Sequence, residues 1–297
     1  MPALIRRLFN DSSDKYYRYS REFGLFLEEA IFVKRKWVEN SIKRSRSERE
    51  GRKLKPSFCG ILKLYSIRNL VSLHLVSVIY LFQTTMKIRI KDHKLPFNSH
   101  KLYSVLVDDD DEIETLVTHD ASMVKSWIGN VEYSHQCRLH RLIVGLDVEW
   151  RPNFTDSCDH PVATLQLSVG NSCLIFQILH ATRIPRRLRE FLGDPDYTFV
   201  GVGIKNDVEM LWDDYGLEVA NKRDLRSWAA VELERKELRK FGLKALVKEV
   251  IGAEMEKPND ITLSRWDNLE LSRRQVGYAC LDAYFSFEIG RVLSSWY

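Results

Sequence analysis

The chain has few cysteines, and their spacing argues against the sites that cysteine most often builds. Five cysteines occur among 297 residues, and no C-x-x-C pair is present. A disulfide framework needs an even number of paired cysteines, and structural zinc sites commonly use C-x-x-C. The number and spacing of the cysteines therefore argue against a disulfide framework and against a structural zinc site. They fit a protein of a reducing compartment.

Long hydrophobic runs are also lacking. The longest, LVSLHLVSVIYLF (70–82), holds 13 mostly apolar residues, whereas a transmembrane helix needs roughly 18. The N-terminus shows no signal peptide, because Arg6 and Arg7 are followed by only Leu8 and Phe9 before polar residues. We therefore expect no stable membrane association.

Two nucleotide-binding motifs are missing as well. The loop G-x-x-x-x-G-K-[ST] does not occur, which argues against a helicase motor. The stretch GVGIKN (201–206) begins like the dinucleotide fingerprint G-x-G-x-x-G but places Asn206 at the third glycine position. The chain is therefore not predicted to be a dinucleotide-binding protein.

Charge is distributed unevenly and predicts two regions. Residues 1–85 hold 17 Lys and Arg against 8 Asp and Glu, whereas residues 86–297 hold 28 against 33. The first region is interpreted as a basic, poorly structured or spurious extension with a short apolar segment. Its stretch SIKRSRSEREGRKLKP (41–56) fits either a solvated arm or a nuclear-targeting or nucleic-acid patch. The second region is predicted to be the functional domain.

The pattern after Met86 predicts an α/β domain. Short alternating segments indicate strands first, including RLIVGLDVEW, VATLQLSV and CLIFQI, with a hairpin turn at Gly170-Asn171. Helical periodicity then alternates with one more strand, and the longest predicted helix covers residues 271–296. A mixed sheet covered by helices is expected.

Two acids in a run that should be buried raise the question of chemistry. Asp147 and Glu149 lie two residues apart in VGLDVEW, so their side chains point to the same face of a strand. Crowded carboxylates repel each other unless a cation joins them, and Mg²⁺ prefers oxygen ligands of this kind. The alternative is a strand end at which both acids reach water.

Two further segments supply acids. Asp207 follows Gly201 and Gly203 in the first turn of a predicted helix, where it could serve as a cap, a ligand or both. Tyr278 and Asp282 are four residues apart in the last helix and share one face. Apolar neighbours argue against reading Asp282 as a surface acid. Four acids and a tyrosine in this arrangement are what two-metal phosphodiester hydrolysis requires.

The motifs DVEW, GVGIKNDVEML and YACLDA, in this order, resemble the three Exo motifs of the DEDD 3′–5′ exonucleases, in the DEDDy subclass. Over residues 86–297 the chain resembles plant Werner-syndrome-like exonucleases and the exonuclease domain of the Werner helicase. The resemblance implies an RNase H-like, DnaQ-like fold and two Mg²⁺ or Mn²⁺ ions. It implies that Asp147 bridges both ions, that Glu149 and Asp282 complete the first, that Asp207 serves the second, and that Tyr278 positions the nucleophile.

The resemblance also implies a substrate and a setting. The expected partner is nucleic acid with a free 3′ end. DNA is the preferred candidate and RNA the second, and the expected products are 5′-mononucleotides. A helicase partner and a location in nucleus and cytoplasm are further implications. The alternatives are an RNase D-like exoribonuclease and an inactive nucleic-acid-binding module, although all four acids are present.

Substrate contacts are expected from cations and aromatics near the motifs. Each has an alternative as a surface cation or a buried ring. The cations are Arg151, Lys205, Arg273 and Arg274, and the aromatic residues are Trp150 and, as a stacking alternative, Trp266.

Overall fold

The computed structural model describes residues 86–96, 99–108, 111–152, 160–255 and 258–294. The interpretation of residues 1–85 as a basic extension lies outside the described residues. Among the described cysteines, Cys137, Cys173 and Cys280 are free thiols. No helix in the described ranges is both long and apolar enough to cross a membrane.

In the part of the chain that the structure describes, eight strands form one mixed sheet, as the α/β pattern predicted. Their order across the sheet is β1-β2-β3-β6-β5-β4-β7-β8. Neighbours pair in antiparallel fashion except β3 with β6, β4 with β7 and β7 with β8, which are parallel. The strands are β1 (Ile88–Asp92), β2 (His100–Val107), β3 (Asp111–Thr118), β4 (Ile143–Trp150), β5 (Val162–Val169), β6 (Ser172–Phe176), β7 (Thr198–Gly201) and β8 (Lys222–Asp224).

Helices fill the connections and cover the sheet. Short 3₁₀ turns occur at Gln136–Arg141, Ile178–His180 and Lys236–Lys240. A π turn, Val247–Ile251, continues the helix Leu243–Leu246. The helices are α1 (Ala121–Ser134), α2 (Arg186–Leu192), α3 (Ile204–Tyr215), α4 (Leu225–Glu232), α5 (Leu243–Leu246), α6 (Asn259–Thr262) and α7 (Arg273–Leu293).

The two faces of the sheet are covered by different helices. Helix α7 packs along one face, where Thr115 of β3 donates a hydrogen bond to the Cys280 sulfur at 3.2 Å. Helices α1 and α2 cover the other face, where Trp127 and Phe191 meet edge to face with ring centroids 6.4 Å apart. Apolar burial on both faces makes the central strands a rigid support for α7.

Helix α7 begins at a well-defined cap. The Ser272 hydroxyl accepts from the Gln275 amide at 3.2 Å, while the Gln275 side chain accepts from the Ser272 amide at 2.9 Å. This capping box satisfies two amides that the first helical turn leaves without partners. The predicted long helix is thereby confirmed, with its bounds at Arg273–Leu293.

Strand β8 was not predicted. Its residues Lys222–Asp224 are polar and only three in number, so they carry no hydrophobic alternation. They form a strand because β7 offers them a parallel edge, with Val200 beside Arg223. The strand ends at Asp224, whose side chain accepts from the Arg226 amide and caps α4.

Candidate metal centre

Strand β4 presents two carboxylates on the face that α7 covers. Asp147 lies opposite Gln166 of β5, and Glu149 lies opposite Thr164. Directly opposed residues point to the same face, so both acids share it with these polar side chains. Glu149 is only 8% exposed, and the register shifts between Glu149 and Trp150, where the strand leaves the regular ladder.

Helix α7 brings the third carboxylate to this face because it approaches β4 very closely. A Cβ added at Gly145 would lie 2.0 Å from the Ala283 carbonyl oxygen and 2.7 Å from the Phe287 amide nitrogen. Only glycine allows this approach, since no side-chain movement could relieve a clash with backbone atoms. Asp282 precedes Ala283 and is 2% exposed, so the contact fixes its depth beside β4.

Asp147, Glu149 and Asp282 form one cluster. One ligand oxygen from each lies within 4.8 Å of the other two. At this spacing each pair of charges repels by on the order of 3 kcal/mol at an effective dielectric constant of about 20. A donor set made only of carboxylate oxygens suits a hard divalent cation, which would replace this repulsion with attraction. The cluster fits a metal site in its chemistry, its spacing and its burial.

Asp207 reaches the same end of the sheet by another route. Strand β7 runs parallel to β4 and ends at Gly201, near the level of Asp147. Helix α3 then starts after Gly203, whose φ of +81° favours glycine, and carries Asp207 in its first turn. Asp207 is 9% exposed and does not belong to the cluster of three carboxylates defined above.

The turn before α3 is anchored by Asp224. Its carboxylate accepts from the Gly203 amide at 3.0 Å and from the Arg226 guanidinium at 2.6 Å. Burial would raise the pKa of Asp224, but these hydrogen bonds and the Arg226 charge outweigh burial and lower it. The pKa of Arg226 is raised by its hydrogen bond to Asp224 and, to a smaller extent, by the charge of Asp207.

Tyr278 lies one helical turn before Asp282 and is 7% exposed. Its hydroxyl is 3.0 Å from the Thr262 hydroxyl, at the end of α6. Its ring packs on Trp266 with centroids 5.9 Å apart and planes tilted by 53°. Tyr278 is thus held from two sides, by a polar contact and by an aromatic one.

The four cations expected to contact substrate all have acidic neighbours. Each keeps at least a third of its side chain exposed, so a phosphate could compete for it. Their role in substrate binding stays a prediction. The ion pairs are Arg151 with Asp267 at 3.4 Å, Lys205 with Glu209 at 3.4 Å, Arg273 with Asp92 at 3.7 Å, and Arg274 with Asp260 at 2.8 Å.

The two tryptophans differ in accessibility. Trp266 is 0% exposed and donates its indole N–H to the Thr262 carbonyl at 3.3 Å, so it is a core residue rather than a stacking platform. Trp150 is partly buried against the core. Base stacking on Trp150 stays a prediction.

Three residues that shape this site were not identified from the sequence. Gly145 lies within the acidic strand β4, two residues before Asp147, and its need for a close helix contact is visible only once β4 and α7 are placed together. Asp224 and Thr262 lie outside the three motifs and act through contacts with Gly203 and Tyr278. For Gly145, the one signal in the sequence is a glycine inside a strand that is predicted to be buried.

The Gly145 contact leads to a stability prediction. Gly145→Ala should push α7 away from β4 and lower the melting temperature, because overpacking against backbone costs about 1–3 kcal/mol or more. Gly129→Ala is the matched control, since Gly129 is exposed in α1 with nothing within 4 Å of an added Cβ. The control should gain about 0.5–1 kcal/mol. Equal melting curves for the two variants would contradict the close-contact explanation.

Known proteins resemble this chain in sequence. Residues 113–295 match the model of the 3′–5′ exonuclease family. A 3′–5′ exonuclease of Arabidopsis thaliana is 37% identical over 152 residues, which is 50% of this chain and 52% of the relative. The bifunctional 3′–5′ exonuclease/ATP-dependent helicase WRN of Mus musculus is 33% identical over 143 residues, 48% of this chain and 10% of that protein. The chain thus spans about half the length of the first relative and a tenth of the second.

The solved structure of Escherichia coli RNase D, an exoribonuclease, has the same fold. Its TM-score is 0.50 at 20% identity, and the match covers 60% of this chain and 43% of that one. The expected RNase H-like α/β fold is confirmed by this likeness and by the mixed sheet. Since the family match covers more than half of the sequence, this chain belongs to the 3′–5′ exonuclease family.

Proposed function

We propose that this chain is a divalent-metal-dependent 3′–5′ exonuclease of the tyrosine-containing DEDD subclass, similar to the plant Werner-type enzymes. In the proposed reaction, water attacks the phosphorus of the 3′-terminal nucleotide and the bond to the preceding 3′ oxygen breaks. That oxygen ends as a hydroxyl on the shortened strand, and a 5′-mononucleotide leaves. The observation that carries the proposal is the buried triple-carboxylate cluster, with ligand oxygens within 4.8 Å of one another.

Mg²⁺ or Mn²⁺ is the proposed cofactor, as a pair of ions. Asp147, Glu149 and Asp282 would hold the first ion, and Asp207 with Asp147 the second. When bound, such ions lower the pKa of a water and offset the charge that develops on the phosphate and the leaving oxygen. The carboxylate oxygens are mostly buried and are fixed in place by the rigid elements that carry them. This limits how much the site has to reorganise during the reaction.

Tyr278 would orient the attacking water. Its hydroxyl projects from the same helical face as Asp282, one turn away, as residues four apart on a helix do. A hydroxyl in a hydrogen bond with the water can direct the water's lone pair toward phosphorus. The packing of its ring on Trp266 restricts the positions that the hydroxyl can take.

The proposed substrate is DNA with a free 3′ end, and RNA is the alternative. Arg151, Lys205, Arg273 and Arg274 would contact phosphates, and Trp150 a base. Contacts of this kind position a strand without reading its sequence. On binding, substrate phosphates would replace the acidic partners of these cations. The affinity for the nucleic acid should therefore weaken as the salt concentration is raised.

A helicase partner is part of the proposal, because a mouse relative carries a helicase in its own polypeptide. Faster degradation of duplex DNA when a helicase is added would support it, and an unchanged rate would count against it.

Residence in both nucleus and cytoplasm is likewise proposed. Fluorescence of a tagged chain that is confined to another compartment would overturn it.

The proposed function is tested with strands labelled at the 5′ end. With Mg²⁺, purified protein should produce a ladder that shortens one nucleotide at a time, together with free 5′-mononucleotides. Matched DNA and RNA strands in the same assay decide which one is degraded faster. Mid-length fragments that appear early without a ladder would indicate an endonuclease and contradict the proposal.

Tyr278→Phe should be milder than the loss of an acid. The ring keeps its packing on Trp266, and only the hydroxyl is removed, so the rate of the chemical step should fall about a hundredfold. Single-turnover kinetics measures this step. A loss larger than that of Asp282→Ala would mean that the tyrosine has a different role.

A further inference from the structure

We propose that Thr262 is a positioning residue for Tyr278, and that it sets the direction of the hydrogen bonds made by the tyrosine hydroxyl. The inference rests on the proposed function, in which Tyr278 contacts the attacking water. It concerns a residue outside the three acidic motifs, in the segment that precedes α7. The observation behind it is the 3.0 Å contact between the Thr262 and Tyr278 hydroxyl oxygens.

Thr262 is held firmly at this position. Trp266 donates its indole N–H to the Thr262 carbonyl at 3.3 Å, and the same ring packs on Tyr278. Because Trp266 is completely buried, it ties the backbone of Thr262 to the ring of Tyr278. The two hydroxyls therefore face each other across a packed contact rather than across a mobile surface.

The segment after Thr262 is also fixed to the start of α7. The buried side-chain amide nitrogen of Gln275 donates to the Ser264 hydroxyl at 3.1 Å and to the Arg265 carbonyl at 3.2 Å. Gln275 belongs to the capping box of the helix that carries Tyr278. Thr262 and Tyr278 are consequently positioned by one hydrogen-bonded unit, and a change at Thr262 should be felt at the tyrosine.

The direction of the hydrogen bond matters for the chemistry. A hydroxyl has one proton to donate and two lone pairs that accept. When Tyr278 donates its proton to Thr262, its lone pairs remain to accept a proton from the attacking water. The water then keeps its own lone pair for the phosphorus. Without Thr262, the tyrosine proton can turn to the water and occupy the lone pair that has to attack.

Thr262→Val tests this role, because valine has nearly the same shape and no hydroxyl. In the full chain with Mg²⁺ and a labelled strand, kcat should fall about tenfold, the size of one hydrogen bond, while KM stays within about twofold. Thr262→Ser keeps the hydroxyl and should restore most of the rate. In the Tyr278→Phe background, Thr262→Val should cause no further loss, since the bond is already gone.

Thr115→Val is the matched control. It also removes a hydroxyl that contacts α7, through the Cys280 sulfur, but it does not contact Tyr278. Any loss that it causes should be the same in the wild-type background and in the Tyr278→Phe background. If Thr262→Val behaves in this additive way, or if Thr262→Ser is as impaired as Thr262→Val, the positioning role is overturned.

The proposed function is checked separately in the same assay. Asp147→Ala at wild-type rate would overturn the exonuclease site itself, whatever the Thr262 variants do. An inactive Asp147→Ala together with additive Thr262 effects would overturn only the positioning role. The proposed function and the positioning role are both supported if Tyr278→Phe lowers the rate about a hundredfold and Thr262→Val causes no further loss in that background.

Discussion

Replacing Asp147 or Asp282 by alanine should lower the rate of 3′-nucleotide release by at least about a thousandfold, since each loss removes a ligand from the proposed metal site. The two acids come from different elements, β4 and α7, yet their ligand oxygens lie within 4.8 Å of each other and of Glu149. Losing either one leaves two carboxylates in place of three. Single-turnover shortening of a 5′-labelled strand at saturating protein measures the effect on the chemical step.

The control for this prediction is Asp213→Ala, an exposed acid on α3. It should keep the wild-type rate. Melting curves without metal provide a second check, because Asp147→Ala relieves repulsion within the cluster and should melt at the same temperature or higher. A folded Asp147→Ala variant with full activity would contradict the assignment of the site.

Removing divalent ions should abolish activity, and adding Mg²⁺ or Mn²⁺ should restore it. The three carboxylates alone would repel the phosphate of the substrate, so the acids cannot promote attack without a cation. Binding should also stabilise the folded protein, by about 2.7 kcal/mol when the free ion is at a hundred times its Kd. The measurement pairs a rate assay with a melting curve, each taken in chelator and in excess metal.

Asp147→Ala separates this prediction from a general effect of salt. In that variant, excess Mg²⁺ should neither restore the rate nor raise the melting temperature to the wild-type extent. Persistent activity of the wild-type chain in chelator would show that the cluster is not a metal site. An equal rise in melting temperature for both proteins would place metal binding elsewhere.

The local parts of the site could be predicted from sequence because they depend on short periodicities. The two-residue spacing of Asp147 and Glu149 predicts one strand face, and the four-residue spacing of Tyr278 and Asp282 predicts one helix face. Both elements are confirmed, as β4 and α7. The meeting of the two faces depends on the tight contact at Gly145, which no local pattern encodes.

Contacts made by the connections were harder to predict. Thr262, at the end of α6, contacts Tyr278 16 positions away, and Asp224, at the end of β8, contacts Gly203 21 positions away. An isolated polar residue in the sequence gives no sign of such a distant partner. The short strand β8 was missed because its stability comes from pairing with β7. Surface cations such as Lys205 showed their charge in the sequence but not their ion pairs.

The central claim, that Asp147, Glu149 and Asp282 together hold a catalytic divalent ion, is tested most directly by Mn²⁺ binding. Electron paramagnetic resonance of Mn²⁺ titrated into the metal-free full chain separates bound from free ion. We expect the wild-type protein to bind Mn²⁺, and Asp147→Ala and Asp282→Ala to lose that binding together with nuclease activity, while Asp213→Ala keeps both. Unchanged Mn²⁺ binding in the two cluster variants would contradict the claim.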